Sequence, residues 1–120
     1  MNRTRTICIA QETDIVLLRM QVRDLARAVG MNLADQARIS LAASSAAKAM
    51  GLGITHPGQV TIDHYCYGEK VGVRVICAGR NGKTNGTPGA LGDARCIVDE
   101  LTYETLGANE AQVTLIKWRT

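Results

Sequence analysis

The chain has 120 residues, 46% of them hydrophobic and 21% charged, with a formal net charge of +3; this is the size and balance of one compact domain and excludes a disordered or low-complexity polymer. Only 3% of the residues are aromatic, Phe is absent and twelve residues are Gly, so the interior must be aliphatic and no stacking platform for single-stranded nucleic acid is expected. The mild basic excess contains no run of five like charges and singles out no partner, and the short apolar stretch in Met1–Ala10 fits neither a signal peptide nor a membrane span.

Residues Arg3–Ala10 are β-prone at Thr4, Thr6, Ile7 and Ile9 and predict a first strand at a sheet edge. Asp14 is expected to cap a helix in which Ile15, Leu18, Val22, Leu25 and Val29 recur three and four apart, closed by Gly30. Its outer face carries Arg19, Arg23 and Arg27, a basic stripe that reads first as a solvated face and second as a docking surface for an acidic partner. Asn32 caps a second helix, with Asp35 in its first turn where the helix dipole favours a carboxylate. That helix, Leu33–Met50, is so rich in Ala and Ser that it can approach its neighbours closely and should lie at the centre of the fold. Gly51 and Gly53 stop it, and His56-Pro57-Gly58 turns the chain out.

From Gln59 the period becomes two. Val60, Ile62, His64 and Cys66 alternate with Thr61, Asp63, Tyr65 and Tyr67; Gly68-Glu69-Lys70 makes a turn, and Val71, Val73, Val75 and Cys77 form the partner strand. The glycine-rich stretch 79–92 reads as a long functional loop. A third helix is expected to carry Leu91, Ala94, Val98 and Leu101 on one face, with Gly107 closing the helical region, and Gln112–Trp118 as the last strand. The resulting class is α/β (α+β): a two-layer sandwich whose mixed, largely antiparallel sheet is covered on one face by three helices.

Chemistry-bearing motifs are sparse. Cys8, Cys66, Cys77 and Cys96 are far apart with no C-x-x-C pair, which fits reduced, mostly buried residues of a cytoplasmic protein and no metal site. Gly79-Arg80-Asn81-Gly82-Lys83-Thr84 ends like a P-loop but has Cys77 where the first Gly belongs. His56 and His64 have no partner at ligand spacing and read as structural or exposed. Ser44 and Ser45 sit inside a helix rather than on a nucleophile elbow, and Asp99 and Glu100 point to different faces of the expected third helix.

Three segments nevertheless carry a resemblance. Asp14-Ile15-Val16 leading to Arg19, then Asp35-Gln36-Ala37-Arg38-Ile39 with Ala42, and finally Val98-Asp99-Glu100-Leu101 with Val113-Thr114-Leu115-Ile116-Lys117-Trp118 resemble the anti-sigma-factor serine kinases of the GHKL (Bergerat-fold, histidine-kinase-like) ATPase superfamily. The likeness is greatest to the switch kinases of bacterial partner-switching pathways, and it spans about residues 7–118. It implies a single GHKL ATPase-like domain over residues 1–120 with a nucleotide lid at about 79–92.

The resemblance also implies what has been lost. Active members carry a Glu general base and, one turn on, an Asn that holds Mg²⁺; those positions fall on Ser45 and Ala49, and neither side chain supplies the needed group. The adenine-reading Asp falls on Gly79, and the glycines of the same motif on Asn81 and Lys83; the second glycine box survives in part as Gly86, Gly89 and Leu91-Gly92. Each lost charge-assisted contact is worth about 1.5–3 kcal/mol, and three losses take a micromolar site beyond useful millimolar affinity. The expectation is a pseudo-kinase without cofactor, acting on a STAS-domain antagonist, a sigma factor or a downstream phosphatase. Its docking face would carry Arg19, Arg23 and Arg27 and the loop 79–92. No nucleic acid or membrane is expected as partner, and a homodimer through the N-terminal sheet edge is an analogy with the family. The alternative is an active ATP-dependent serine/threonine kinase with Mg²⁺, in which Arg80, Lys83 and Thr84 contact the phosphates.

Overall fold

The computed structural model describes residues 4–80, 91–107 and 109–120. In chain order its elements are β1 (Arg5–Ile9), α1 (Thr13–Ala28), α2 (Leu33–Ala49), β2 (Gly58–Tyr67), β3 (Lys70–Arg80), α3 (Gly92–Ile97), β4 (Glu100–Thr105) and β5 (Glu110–Trp118). The strands form one sheet in the order β1-β2-β3-β5-β4, and the helices pack on one side of it, giving the expected α+β sandwich. Every pairing is antiparallel, so the mixed character allowed by the sequence is absent from this sheet. The β2–β3 hairpin closes at Tyr67↔Lys70. Its two-residue turn opens with Gly68 at φ 62°, the positive dihedral that glycine supplies at the first position of a type II′ turn.

Alternation along the strands and three-to-four spacing along the helices meet in one core. Ile7, Ile9, Val60, Ile62, Val73, Val75, Cys77, Val113 and Leu115 project from the sheet, and Ile15, Leu18, Val22 and Leu25 of α1 close over them. Between α1 and α3 runs α2, whose Ala42, Ala43, Ala46 and Ala47 are completely buried. Small side chains let this helix pass close to both neighbours, as its composition predicts.

Four expectations are corrected. The third helix ends at Ile97, because Val98 is already extended (φ −116°, ψ 167°), and the residues after it form β4 rather than more helix. Leu101 and Tyr103 pair with Leu115 and Val113, satisfying the backbone of β5 that a helix would have left open. Asp14 does not cap α1, which begins at Thr13; its carboxylate instead accepts from the amides of Ala10 and Gln11 at 2.9 and 3.0 Å. The glycine-rich stretch 79–92 is not loop at its ends, since Gly79 and Arg80 complete β3 and Gly92 begins α3, and residues 81–90 lie outside the described residues. Of the cysteines, only Cys77 is buried, whereas Cys8, Cys66 and Cys96 are exposed. Cys8 lies on the uncovered face of its strand, and Cys66 lies beyond the reach of the helices.

Candidate functional site

The strongest local order around the second helix is electrostatic. Asn32 caps α2 by accepting from the Asp35 amide at 2.8 Å, and this places the Asp35 carboxylate inside the protein, 1% exposed. There it meets Arg38 at 3.1 Å and Lys117 at 3.9 Å, and the Thr120 hydroxyl donates to it at 3.0 Å. Lys117 also faces Asp99 at 3.8 Å. A buried carboxylate is tolerated only with such compensation, so the start of α2 is locked to the end of β5 by charge.

From that anchor α2 runs inward to Ser45 and Ala49, both half-buried and one turn apart on the same side of the helix. Gly79, pairing with Gly58 and Ala111 near the end of β3, directs its missing side chain toward the helices. A Cβ there would stand 2.6 Å from Cδ2 of Leu52 and 3.7 Å from Nε2 of His56. Leu52 is completely buried and is held by its amide, which donates to the Ala47 carbonyl at 3.0 Å. The space beside residue 79 is therefore filled by a leucine, and a side chain there would oblige Leu52 to shift. Sequence reasoning missed Leu52; the available signal was a lone large apolar residue between Gly51 and Gly53 in a turn.

His56 completes this corner. The Thr55 hydroxyl donates to the Gly51 carbonyl, so at the 2.8 Å contact between Thr55 Oγ1 and His56 Nδ1 the imidazole is the donor. Its Nε2 is buried without a hydrogen-bond partner among the described residues. Arg80 is exposed beside the same corner and, with Pro57, Gln59, Leu106 and Glu110, lines a cleft of about 280 Å³. Leu91 is completely buried ahead of α3 and serves the core. Asn81, Lys83, Thr84, Gly86 and Gly89 lie outside the described residues.

The basic stripe of α1 divides into two parts. Arg27 is held by Asp24 at 2.9 Å, and Asp24 also binds Arg5 at 3.0 Å; hydrogen bonds from these two arginines hold the Asp24 carboxyl below the usual carboxylate range. Arg19 and Arg23 make no ion pair among the described residues. With Val16, Met20 and Ser40 they line a second groove of about 280 Å³ between α1 and α2. Val16 and Met20 are 56% and 64% exposed, so this groove combines free positive charge with bare apolar surface.

This chain is similar to a kinase. The serine/threonine-protein kinase RsbT of Bacillus subtilis (strain 168) is 27% identical over 132 aligned positions that cover 98% of each chain. No protein-family model matches. The likeness to RsbT extends over nearly the whole chain, including the helix positions Ser45 and Ala49 and the strand position Gly79. Among the described residues no helix is long and apolar enough to cross a membrane.

Proposed function

We propose that the chain is a regulatory protein of partner-switching signalling, with the fold of a histidine-kinase-like ATPase and without Mg-ATP chemistry of its own. The observation that carries this reading is the corner at Gly79: the place for a base-reading side chain is occupied by buried Leu52. Ser45 and Ala49 support it, since a neutral hydroxyl is a poor base and a methyl group offers nothing to a hard cation. Partner binding then falls to the groove between α1 and α2, where Arg19 and Arg23 suit a segment with carboxylates beside apolar side chains, as a STAS-domain antagonist, a sigma factor or a downstream phosphatase would have to present. Arg27, already engaged by Asp24, contributes less.

Two measurements test the reading. Thermal denaturation with Mg-ATP or Mg-ADP up to millimolar concentration is expected to leave the transition unmoved. A ligand at 100 times its dissociation constant would add about 2.7 kcal/mol, so a saturable rise of several degrees overturns the reading and restores an active kinase with Arg80, Lys83 and Thr84 on the phosphates. Calorimetric titration with STAS-domain proteins is expected to show binding that Arg19→Glu and Arg23→Glu weaken at least tenfold and Arg27→Glu weakens less. Unchanged affinity in the first two variants removes the groove from the proposal.

A further inference from the structure

The face of the sheet away from the helices holds a second feature, separate from the Gly79 corner. Three of the four aromatic residues converge there, although they come from distant parts of the sequence. Tyr65 of β2 and Trp118 of β5 both pair with Gly72 of β3; glycine puts no side chain between them, so the rings close over it and stack at 5.7 Å between centroids. Tyr67, two residues along β2, projects on the same side and is 69% exposed. Together with Lys70 and Glu100 these rings line a groove of about 360 Å³.

The rings already attract cations from within the chain, and the two they hold differ in kind. The Arg74 guanidinium lies 4.4 Å from the Tyr65 centroid and is pinned by Asp63 through two hydrogen bonds of 3.1 and 2.6 Å. Lys70 reaches the Trp118 ring, with Nζ 5.4 Å from its centroid, but has no carboxylate partner among the described residues. Arg74 is a fixed part of the wall, whereas the Lys70 ammonium is an exposed, replaceable occupant of the ring face. Glu100 lines the groove and is likewise without an ion pair among the described residues. Aromatic faces carry negative quadrupole charge and, with a nearby carboxylate, favour weakly hydrated organic cations over anions.

We propose that this groove is a binding site for an alkylated ammonium group, with Trp118 and Tyr67 as the aromatic walls, Glu100 as the counter-charge and Lys70 as the resident cation that the ligand displaces. The group is either a free quaternary amine or a methylated lysine side chain, which share this chemistry.

Trp118 is the only tryptophan, so its fluorescence reports the site directly. The full chain is titrated, at constant ionic strength, with choline chloride, with a short trimethyl-lysine peptide, and with 3,3-dimethyl-1-butanol, the uncharged isostere of choline. Saturable change is expected with at least one cation and not with the alcohol. The stronger responder identifies the source as a free amine or a modified side chain. Lys70→Met is expected to tighten binding about threefold, and Glu100→Gln and Tyr67→Ala to weaken it about fivefold or more, with circular dichroism confirming that each variant is folded. The proposal is overturned if neither cation gives a saturable response in the native chain and in Lys70→Met, if the alcohol responds equally, or if Glu100→Gln leaves affinity unchanged.

Discussion

The two faces of the sheet use the same limited set of residues in opposite ways. Beneath the helices, space is filled by alanines of α2, branched aliphatics and the buried thiol of Cys77; the buried carboxylate of Asp35 is held there by Arg38, Lys117 and Thr120. On the uncovered face Tyr67 stands in the open, the half-buried rings of Tyr65 and Trp118 are steadied by cations, and the ion pair Asp63–Arg74 is only partly buried, with side-chain exposures of 15% and 32%. An interior built by close approach has no room for new groups, whereas a surface built from a ladder of rings and charges accepts exchange of one charge for another. The Gly79 corner belongs to the first kind and the Lys70–Trp118 groove to the second.

That contrast is sharpened most by removing charge from each face. Asp35→Ala should cost about 1.5–3 kcal/mol in chemical denaturation, because it takes the acceptor from Thr120 and leaves the largely buried Lys117 with Asp99 alone, while Asp63→Ala should cost about 1 kcal/mol. Equal costs would break the distinction between a sealed and an open ion pair. Next in size, Gly79→Ala should destabilise by about 1–3 kcal/mol through its collision with Leu52; pairing it with Leu52→Ala should recover part of that loss, and strict additivity would contradict the contact. Trp118→Ala should cost about 0.5–1.5 kcal/mol beyond its lost area, with Tyr65 fluorescence and Arg74 mobility changing together.

Smaller effects separate the faces by reactivity and titration. Burial pushes the Cys77 thiol up to about 12, so a thiol reagent should label Cys8, Cys66 and Cys96 in the folded chain and reach Cys77 only on unfolding; rapid labelling of all four would mean that the core opens readily. The smallest effect concerns Asp24. Its carboxyl is lowered in the folded state by Arg5 and Arg27, so the stability it contributes is present above the ordinary carboxylate value of 3.8 and is lost as pH falls through the lower folded value. In Asp24→Asn the acid side of the stability profile should be flatter, with the neutral region little changed.

The elements that were legible in the sequence are those with a single unambiguous period. Ile15, Leu18, Val22 and Leu25 admit only a helix, and the β2–β3 alternation with Gly68 between the strands admits only a hairpin. The stretch from Leu91 to Thr105 admits two readings, since Leu91, Ala94, Val98 and Leu101 follow helical spacing while Leu101, Tyr103 and Thr105 alternate. The free side of β5 decides between them, and that side exists only after the sheet has formed. In the same way the resemblance drew attention to Ser45, Ala49 and Gly79, but nothing in the sequence drew it to Leu52, because its place depends on how the turn after α2 folds back.

Composition, too, had a definite but incomplete reach. The sequence by itself determined that the core would be aliphatic and that α2 would pack closely, since these follow from residue identity and short-range spacing. Scarcity of aromatics also argued against a stacking surface. Tertiary structure alone decided where the few rings go: β2 and β5 flank Gly72 in register, and the sheet thereby gathers Tyr65, Tyr67 and Trp118 into one exposed groove. Local sequence fixes what a side chain is and which way its strand turns it, while strand order fixes which distant side chains it meets.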